Sequence, residues 1–193
     1  MTAPHAASPF KVILDPTGGA DVVQESTKAE RPRLAPRAPS LAGLTVGLLE
    51  NTKHNAAYLL DRLGAALMRD HGVESVVRGT KKAFGQPLPE GILRDFAERC
   101  DVMIIGVGDC GACSASAVAD GISFEKVGLP SAVICSDAYV TTASAMAEVQ
   151  GFPGYEYLTT KHPVAVLDRD EIHERAAQLL PRALALLAGE VRR

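Results

Sequence analysis

The densest chemical signal in the sequence is the run Gly106-Val-Gly-Asp-Cys-Gly-Ala-Cys-Ser114. Two thiols at this C-x-x-C spacing meet on the first turn of a helix. Unpaired backbone N–H groups there favour negative charge, which lowers a thiol pKa and populates the thiolate. Cys110 falls in the loop and is the expected nucleophile. Cys113 falls in the first helical turn, placed to resolve a mixed disulfide or a sulfenate on Cys110. Gly106, Gly108 and Gly111 permit close backbone approach, so the loop, with Ser114 at its end, can cradle an anionic group. Asp109 acts against the thiolate by charge repulsion, unless its carboxyl group itself takes or gives a proton in the reaction.

Three other polar stretches are candidates for the same pocket. Glu50-Asn-Thr-Lys-His-Asn55 follows an apolar run and precedes a helical pattern. Asn51, Thr52 or Asn55 is expected to cap that helix. A loop needs one cap and not five polar side chains, so Asn51, Thr52, Lys53 and Asn55 are also candidates for holding a substrate carboxylate. His54 is a weaker one. In Cys135-Ser-Asp-Ala-Tyr139, Asp137 is a candidate acid or base and Tyr139 a pocket wall. His162 precedes Pro163, which holds it extended, and an imidazole there suits proton transfer near neutral pH. Two alternatives stay open for the thiols. Cys110, Cys113, Cys135 and His162 have the residue types of a zinc site, and the Cys pair also suits small buried packing positions. No metal ligand is assigned.

These stretches must be positioned by strands and helices. Short apolar runs at 44–49, 102–107 and 131–135 suit buried strands, and 73–77 and 155–160 are read as two further strands. Between them, Ala56, Leu59, Leu60, Leu63 and Leu67 recur at helical spacing, and Gly72 closes that helix. Helices are further expected from Pro89 or Glu90, over 114–127, over 142–150, and from Asp168 or Asp170 to the end. Pro181 is expected to kink the last helix or end it. Five successive β-α units predict an α/β fold: a flavodoxin-like, doubly wound parallel five-stranded sheet in the order 2-1-3-4-5. Ligands of such sheets sit beyond the carboxyl ends of the strands, at the switch point between the first and third. All four polar stretches fall there. Lys81 and Lys82 are expected on a solvated face, and 81–88 as a lid or a subunit contact.

Residues 1–41 differ from the single α/β domain at 42–193. They hold one short apolar run, 10–14, a turn at 15–19, and a stretch rich in Pro, Arg and Ala. An extended N-terminal arm is expected, docked on a partner subunit or on the domain surface, which favours a homo-oligomer.

Composition bounds the function. Of the 193 residues, 47% are hydrophobic and 22% charged, a globular balance. A net charge of -3 gives no electrostatic case for nucleic-acid binding. No apolar run approaches the ~20 residues that span a bilayer, and residues 1–9 lack the basic and apolar parts of a secretory signal. Tryptophan is absent and aromatics are 5%, which discourages a flavin site, and no cofactor is expected. Four cysteines are too few for a disulfide scaffold and fit a cytoplasmic protein.

The segment Gly108-Asp-Cys-Gly-Ala-Cys-Ser114 resembles the motif of the UGSC family, in which selenocysteine or cysteine is followed by Gly, a small residue and Cys. Cys110 falls on the selenocysteine position and Cys113 on the cysteine, while Ala112 replaces the family's serine. Asp15-Pro-Thr-Gly18, Gly47-Leu-Leu-Glu-Asn-Thr-Lys53 with Asn55, Gly106-Val-Gly108, the strand end at 133–137 and His162-Pro163 also look like family features. More distantly, the strand, Cys-Gly pair and helix resemble the selenocysteine segments of glycine reductase component B and proline reductase, which attack carbon with a selenolate and cleave a C–N bond reductively. The resemblance implies a chalcogen nucleophile at Cys110. A thiolate is a poorer nucleophile and leaving group than a selenolate, so it does not imply the same reaction.

Two functions follow as expectations. The first is a thiol-dependent enzyme acting on a small anionic electrophile, with a dithiol reductant or partner enzyme to reset the cysteines. The second is an accessory or binding subunit whose Cys pair packs or holds zinc.

Overall fold

The computed structural model describes residues 33–82 and 84–188. The apolar run at 10–14, the turn at 15–19 and the motif from Asp15 to Gly18 lie outside the described residues. All of the described residues belong to one compact unit.

Five parallel strands form one sheet. They are β1 (Thr45–Glu50), β2 (Ser75–Thr80), β3 (Val102–Gly108), β4 (Ser131–Ser136) and β5 (Leu158–Thr160), in the order β2-β1-β3-β4-β5. The fold is flavodoxin-like, as the alternation of apolar runs and helical patterns predicts. All seven residues of β3 are buried, as are all six of β4. A strand covered on both faces needs an unbroken apolar run and not alternation.

The helices are α1 (Ala56–Asp70), α2 (Glu90–Arg99), α3 (Gly111–Lys126), α4 (Val140–Val149) and α5 (Arg169–Ala188). One face of the sheet packs α1 and α5 through Leu59, Leu63, Ile172 and Leu179. The other packs α2, α3 and α4 through Phe96, Val118, Phe124 and Ala147. Each buried Leu, Ile or Phe of these layers contributes roughly 1.5–3 kcal/mol through apolar burial.

Local sequence explains the ends of the elements. Gly72 adopts a φ of 68° after α1, and Val73 N donates back to Leu67 O at 3.3 Å. This left-handed close is easiest for glycine. Asp168 caps α5 in a reciprocal box: Glu171 N donates to Asp168 Oδ1 at 2.9 Å, and Asp168 N to Glu171 Oε2 at 2.8 Å.

Three expectations differ from the structure. α5 runs on through Pro181. Pro181 and Ala177 are both exposed, so water can reach the carbonyl that the missing N–H leaves free. α3 starts at Gly111 and not at Ser114, because the Cys110 side chain caps it from loop conformation. The expected side-chain cap of α1 is absent: Asn55 stands at the N-cap position with φ 67° and makes no cap bond. Its amide is bonded elsewhere, as described below.

Of the expected arm, residues 33–41 lie on the domain itself. Ala35 and Leu41 are buried. Glu125, at the far end of α3, accepts from Arg37 Nη1 and Nη2 at 2.7 Å each, from Ala35 N at 2.8 Å and from Ser131 N at 2.8 Å. One buried carboxylate thus ties the segment to α3 and to the start of β4. No helix among the described residues is long and apolar enough to cross a membrane.

Candidate active site

The loops after β1, β3, β4 and β5 converge at the carboxyl edge of the sheet, through side chains that bond across loops. Asn51 bridges the first two. Its Oδ1 accepts from Val107 N and its Nδ2 donates to Val107 O, both at 3.0 Å. Val107 lies where the register between β3 and β4 breaks, between Ile105 and Gly108, so Asn51 supplies the two hydrogen bonds that a strand neighbour would otherwise supply. The Gly106–Val107 and His162–Pro163 peptides are cis.

Gly108 is required by packing. A Cβ there would stand 2.7 Å from Ser114 Cα and 2.8 Å from Cys135 Sγ. Its absence lets the start of α3 descend onto the sheet and fixes the height of the cysteine loop. Ser114 is fully buried, and its Oγ has no hydrogen-bond partner among the described residues.

Cys110 is half-buried at the N-cap of α3, and Cys113 is fully buried in the first turn. They are joined as a disulfide with a Cα–Cα distance of 5.1 Å. Cys113 N lies 3.2 Å from Cys110 Sγ, so a helix N–H points at the sulfur that the sequence marks as the nucleophile.

Asp109 is buried beside it and is the most densely bonded group of the site. Its Oδ1 lies 3.0 Å from His162 Nδ1. Val164 N donates to both of its oxygens at 3.1 Å, and Ala165 N to Oδ2 at 3.0 Å. Burial alone pushes this carboxyl up. The hydrogen bonds from Ala165, Val164, Ser136 and His162 outweigh it and hold Asp109 below the usual carboxylate range.

His162 is held through its backbone, its Nδ1 and one side of its ring. Its backbone N donates to Asp137 Oδ1 at 2.9 Å. Ser136 Oγ donates to Gly108 O at 3.1 Å and stands 3.2 Å from His162 Nδ1. The Tyr139 ring packs edge-on at 5.3 Å between centroids. With an ionised carboxylate at Nδ1, the ring hydrogen belongs on Nδ1, which leaves Nε2 as the free base of the neutral imidazole.

The sequence-predicted residues divide accordingly. Asp109, His162, Asp137 and Tyr139 are joined directly, and Gly108 through Ser136; the Cys110–Cys113 disulfide follows Asp109 in the chain. Asn51 and Asn55 have their amides bonded to backbone, Asn55 Nδ2 donating to Val164 O at 3.1 Å and to Leu167 O at 2.8 Å. They brace the loops that carry Asp109 and His162. Thr52 is exposed in left-handed conformation, φ 62°, and donates through Oγ1 to Asn51 O at 2.6 Å. Lys53 is partly exposed in the loop after β1. Gly111 has open space around it, Thr142 Oγ1 being 4.0 Å from a Cβ position.

Cys135 is buried at the end of β4, its thiol pushed up to about 12 by burial, with Sγ 4.0 Å from Ser114 O. Among the described residues, no three or more His, Cys, Asp or Glu side chains are grouped to hold a metal ion. The four-ligand zinc cluster drawn from residue types is therefore not assembled in this form of the chain.

Lys81 is the residue that sequence reasoning misplaced. It is 1% exposed and not solvated. Its Nζ donates to Ser116 Oγ at 2.7 Å and to Asp120 Oδ2 at 2.5 Å. A lysine is almost never buried unless paired, and its partners stand 35 and 39 positions away, beyond any local signal. The loop that follows lies against α3: Ser116 Oγ donates to Gln86 O at 2.8 Å, and a Cβ on Gly85 would lie 3.7 Å from Ala112 Cβ. A groove of about 630 Å³ lies elsewhere, along β5 and α5 between Leu34, Tyr157 and Leu186. None of the converging loop residues lines it.

Comparison with known proteins agrees with the motif. The model of the UGSC family matches residues 12–189, and the chain belongs to that family. No curated protein matches it. Among solved structures, the chain is similar to a diflavin flavoprotein A3 from Nostoc sp., at 14% identity and a TM-score of 0.35, over 75% of this chain and 96% of that one.

Proposed function

We propose that this member of the UGSC family is a thiol-dependent enzyme in which Cys110 attacks a small, anionic, electrophilic substrate. The observation that carries the proposal is the Asp109–His162 pair. The buried carboxylate of Asp109, the residue directly before the expected nucleophile, orients the His162 imidazole, and the second thiol stands within disulfide reach of the first.

In this reading, Cys110 attacks as the thiolate, favoured by the N–H of Cys113 and by the start of α3. His162, held with its hydrogen on Nδ1, accepts or returns the substrate proton at Nε2. Asp109 keeps that tautomer and balances the imidazolium as it forms. The wall carrying the two groups is braced by Asn51, Asn55, Asp137 and Tyr139. Lys53 and the N–H groups of the cysteine loop, with Gly108, Gly111 and Ser114, attract the anionic part of the substrate. Cys113 resolves a Cys110 adduct by forming the disulfide, which a cytoplasmic dithiol or a partner enzyme then reduces. If no electrons change hands, the same Cys110 supports addition–elimination, as in a lyase or transferase. Assembly as a homo-oligomer is part of the proposal.

The test is a pair of variants assayed against a panel of small electrophilic acids. Cys110→Ser is expected to abolish turnover, and full activity in that variant overturns the proposal. Activity retained in Cys113→Ser removes only the redox cycle. The competing reading, an accessory subunit with a structural or zinc-binding pair, predicts stoichiometric zinc in the purified protein and no reactive thiol.

A further inference from the structure

The buried Lys81–Asp120 pair stands on the helix that the cysteine pair opens and has no part in the chemistry described above. Cys113, Ser116 and Asp120 stand at i, i+3 and i+7 on α3, so they share one helix face. Side chains on a helix lean toward its N-terminus, which tilts Ser116 and Asp120 toward Cys113. Lys81, entering from the end of β2, binds both. All four residues are buried, and Cys113 is fully so. The Asp120 Oδ1 atom has no hydrogen-bond partner among the described residues, a costly omission for a purely structural carboxylate. Burial pushes its carboxyl up to about 6, against the pull of Lys81.

From this arrangement we infer that Lys81 and Asp120 set the protonation of the Cys113 thiol when the Cys110–Cys113 disulfide is opened. The inference rests on the thiol–disulfide reading of that pair. A dithiol reductant attacks the accessible sulfur, Cys110 Sγ. The S–S bond breaks and its electron pair leaves on Cys113 Sγ, inside the protein. The second reductant thiol then attacks the mixed disulfide at the reductant's own sulfur and releases Cys110 as thiolate. The reductant ends as a disulfide and the protein as a dithiol, with the two protons of the reductant balancing the two new thiols.

The difficult charge in this sequence is the buried Cys113 thiolate. Lys81 supplies a cation held on Ser116, three positions after Cys113 on the same helix face, and Asp120 tempers it. Few other charges face this surface. The loop after β3 offers Asp109, already paired with His162, and β4 offers Cys135. The backbone of Glu50, at the end of β1, receives Lys81 N at 2.7 Å. α2 turns Ile92, Leu93 and Phe96 inward, while its ion pairs Glu90–Arg94 and Asp95–Arg99 stay exposed. α4 contributes the alanines Ala143 and Ala147. Lys81 and Asp120 are positioning residues that act through Cys113 and touch no substrate.

The experiment titrates the reduced full-length protein, with cysteine labelled at Cβ by carbon-13, by NMR under argon. Lys81→Met should raise the Cys113 midpoint by one pH unit or more. Asp120→Asn should lower it by at least half a unit, and the double variant should return it toward the parent value. Cys110 should move by less than 0.3 units throughout. Shifts of the same sign in the two single variants, or shifts of Cys113 below 0.3 units, overturn the inference. If Lys81→Met does not fold, the near-isosteric Asp120→Asn and the double variant carry the test. A parent Cys110 that titrates like a free thiol instead sinks the proposed nucleophile, and the sign of the Cys113 shifts still decides this inference separately.

Discussion

Asp109 Oδ1 and His162 Nδ1 stand 3.0 Å apart, although 53 residues separate them in sequence. The contact joins the loop after β3 to the loop after β5, the central and the edge strand of the sheet. It exists because Asp109 is turned inward, where two backbone N–H groups from Val164 and Ala165 complete its coordination. A carboxylate beside a thiol would oppose thiolate formation by charge. Bonded in this way, its charge is shared with an imidazole and a backbone nest.

The pairing predicts a tautomer. In nitrogen-15 spectra of histidine-labelled protein at pH 8, His162 should carry its hydrogen on Nδ1 with Nε2 bare. Asp109→Asn should abolish that preference. A parent His162 protonated at Nε2 contradicts the assignment.

Asp109 also predicts a pH dependence of stability. Its native pKa is lowered, so the native state binds this proton less readily than the unfolded chain. The contribution is therefore fully present above the unfolded value of about 3.9 and is lost as pH falls through the lower native value. In urea unfolding, Asp109→Asn should cost about 2 kcal/mol at pH 7, as expected for charge-assisted hydrogen bonds. The difference from the parent should shrink at pH 3. A constant difference over that range removes the electrostatic account.

Asn51 is expected to matter more for the fold than its place in a polar loop suggests. Asn51→Ala leaves both backbone groups of the buried Val107 without partners. The cost should be about 2–6 kcal/mol, from two unsatisfied groups of roughly 1–3 kcal/mol each. Chemical denaturation measures it, and a loss below 0.5 kcal/mol would show that the clamp is dispensable.

How far the sequence alone discloses these relations depends on their range. β1, β3 and β4 are visible because each is a short apolar run between turn residues, and the order 2-1-3-4-5 follows from the alternation of strands with helices. β2 lies at Ser75–Thr80 and not at the expected 73–77, because its half-exposed Arg78-Gly-Thr80 end carries no apolar signal. β5 is only three residues long, and the tyrosines at 155 and 157 extend the expected strand beyond the ladder. The cysteine loop is legible for the same local reason, since C-x-x-C needs only adjacent residues. The clamp of Asn51 on Val107 is not legible, because it depends on a register break that no composition marks. Lys81 is missed for a similar reason: two adjacent lysines look solvated unless the distant Asp120 is known to face them.

Glu125 offers a test far from the site. It binds Arg37, Ala35 N and Ser131 N at once. Glu125→Ala should destabilise the chain by about 3–5 kcal/mol, as breaking a buried pair does. Arg37→Met should release residues 33–41 and raise hydrogen exchange at Ala35 at least tenfold, leaving β3 protected. Unchanged exchange at Ala35 in Arg37→Met contradicts the anchoring role.

The central claim is that Cys110 is a nucleophile made reactive by its place before α3. The most direct measurement is the alkylation rate of each cysteine in the fully reduced protein as a function of pH, with mass spectrometry to locate the label. Cys110 should label fastest, with a midpoint well below the ~8.5 of a free thiol, and the buried Cys100, pushed up to about 11 by burial, should lag far behind. Cys110 labelling no faster than Cys100 would contradict the account.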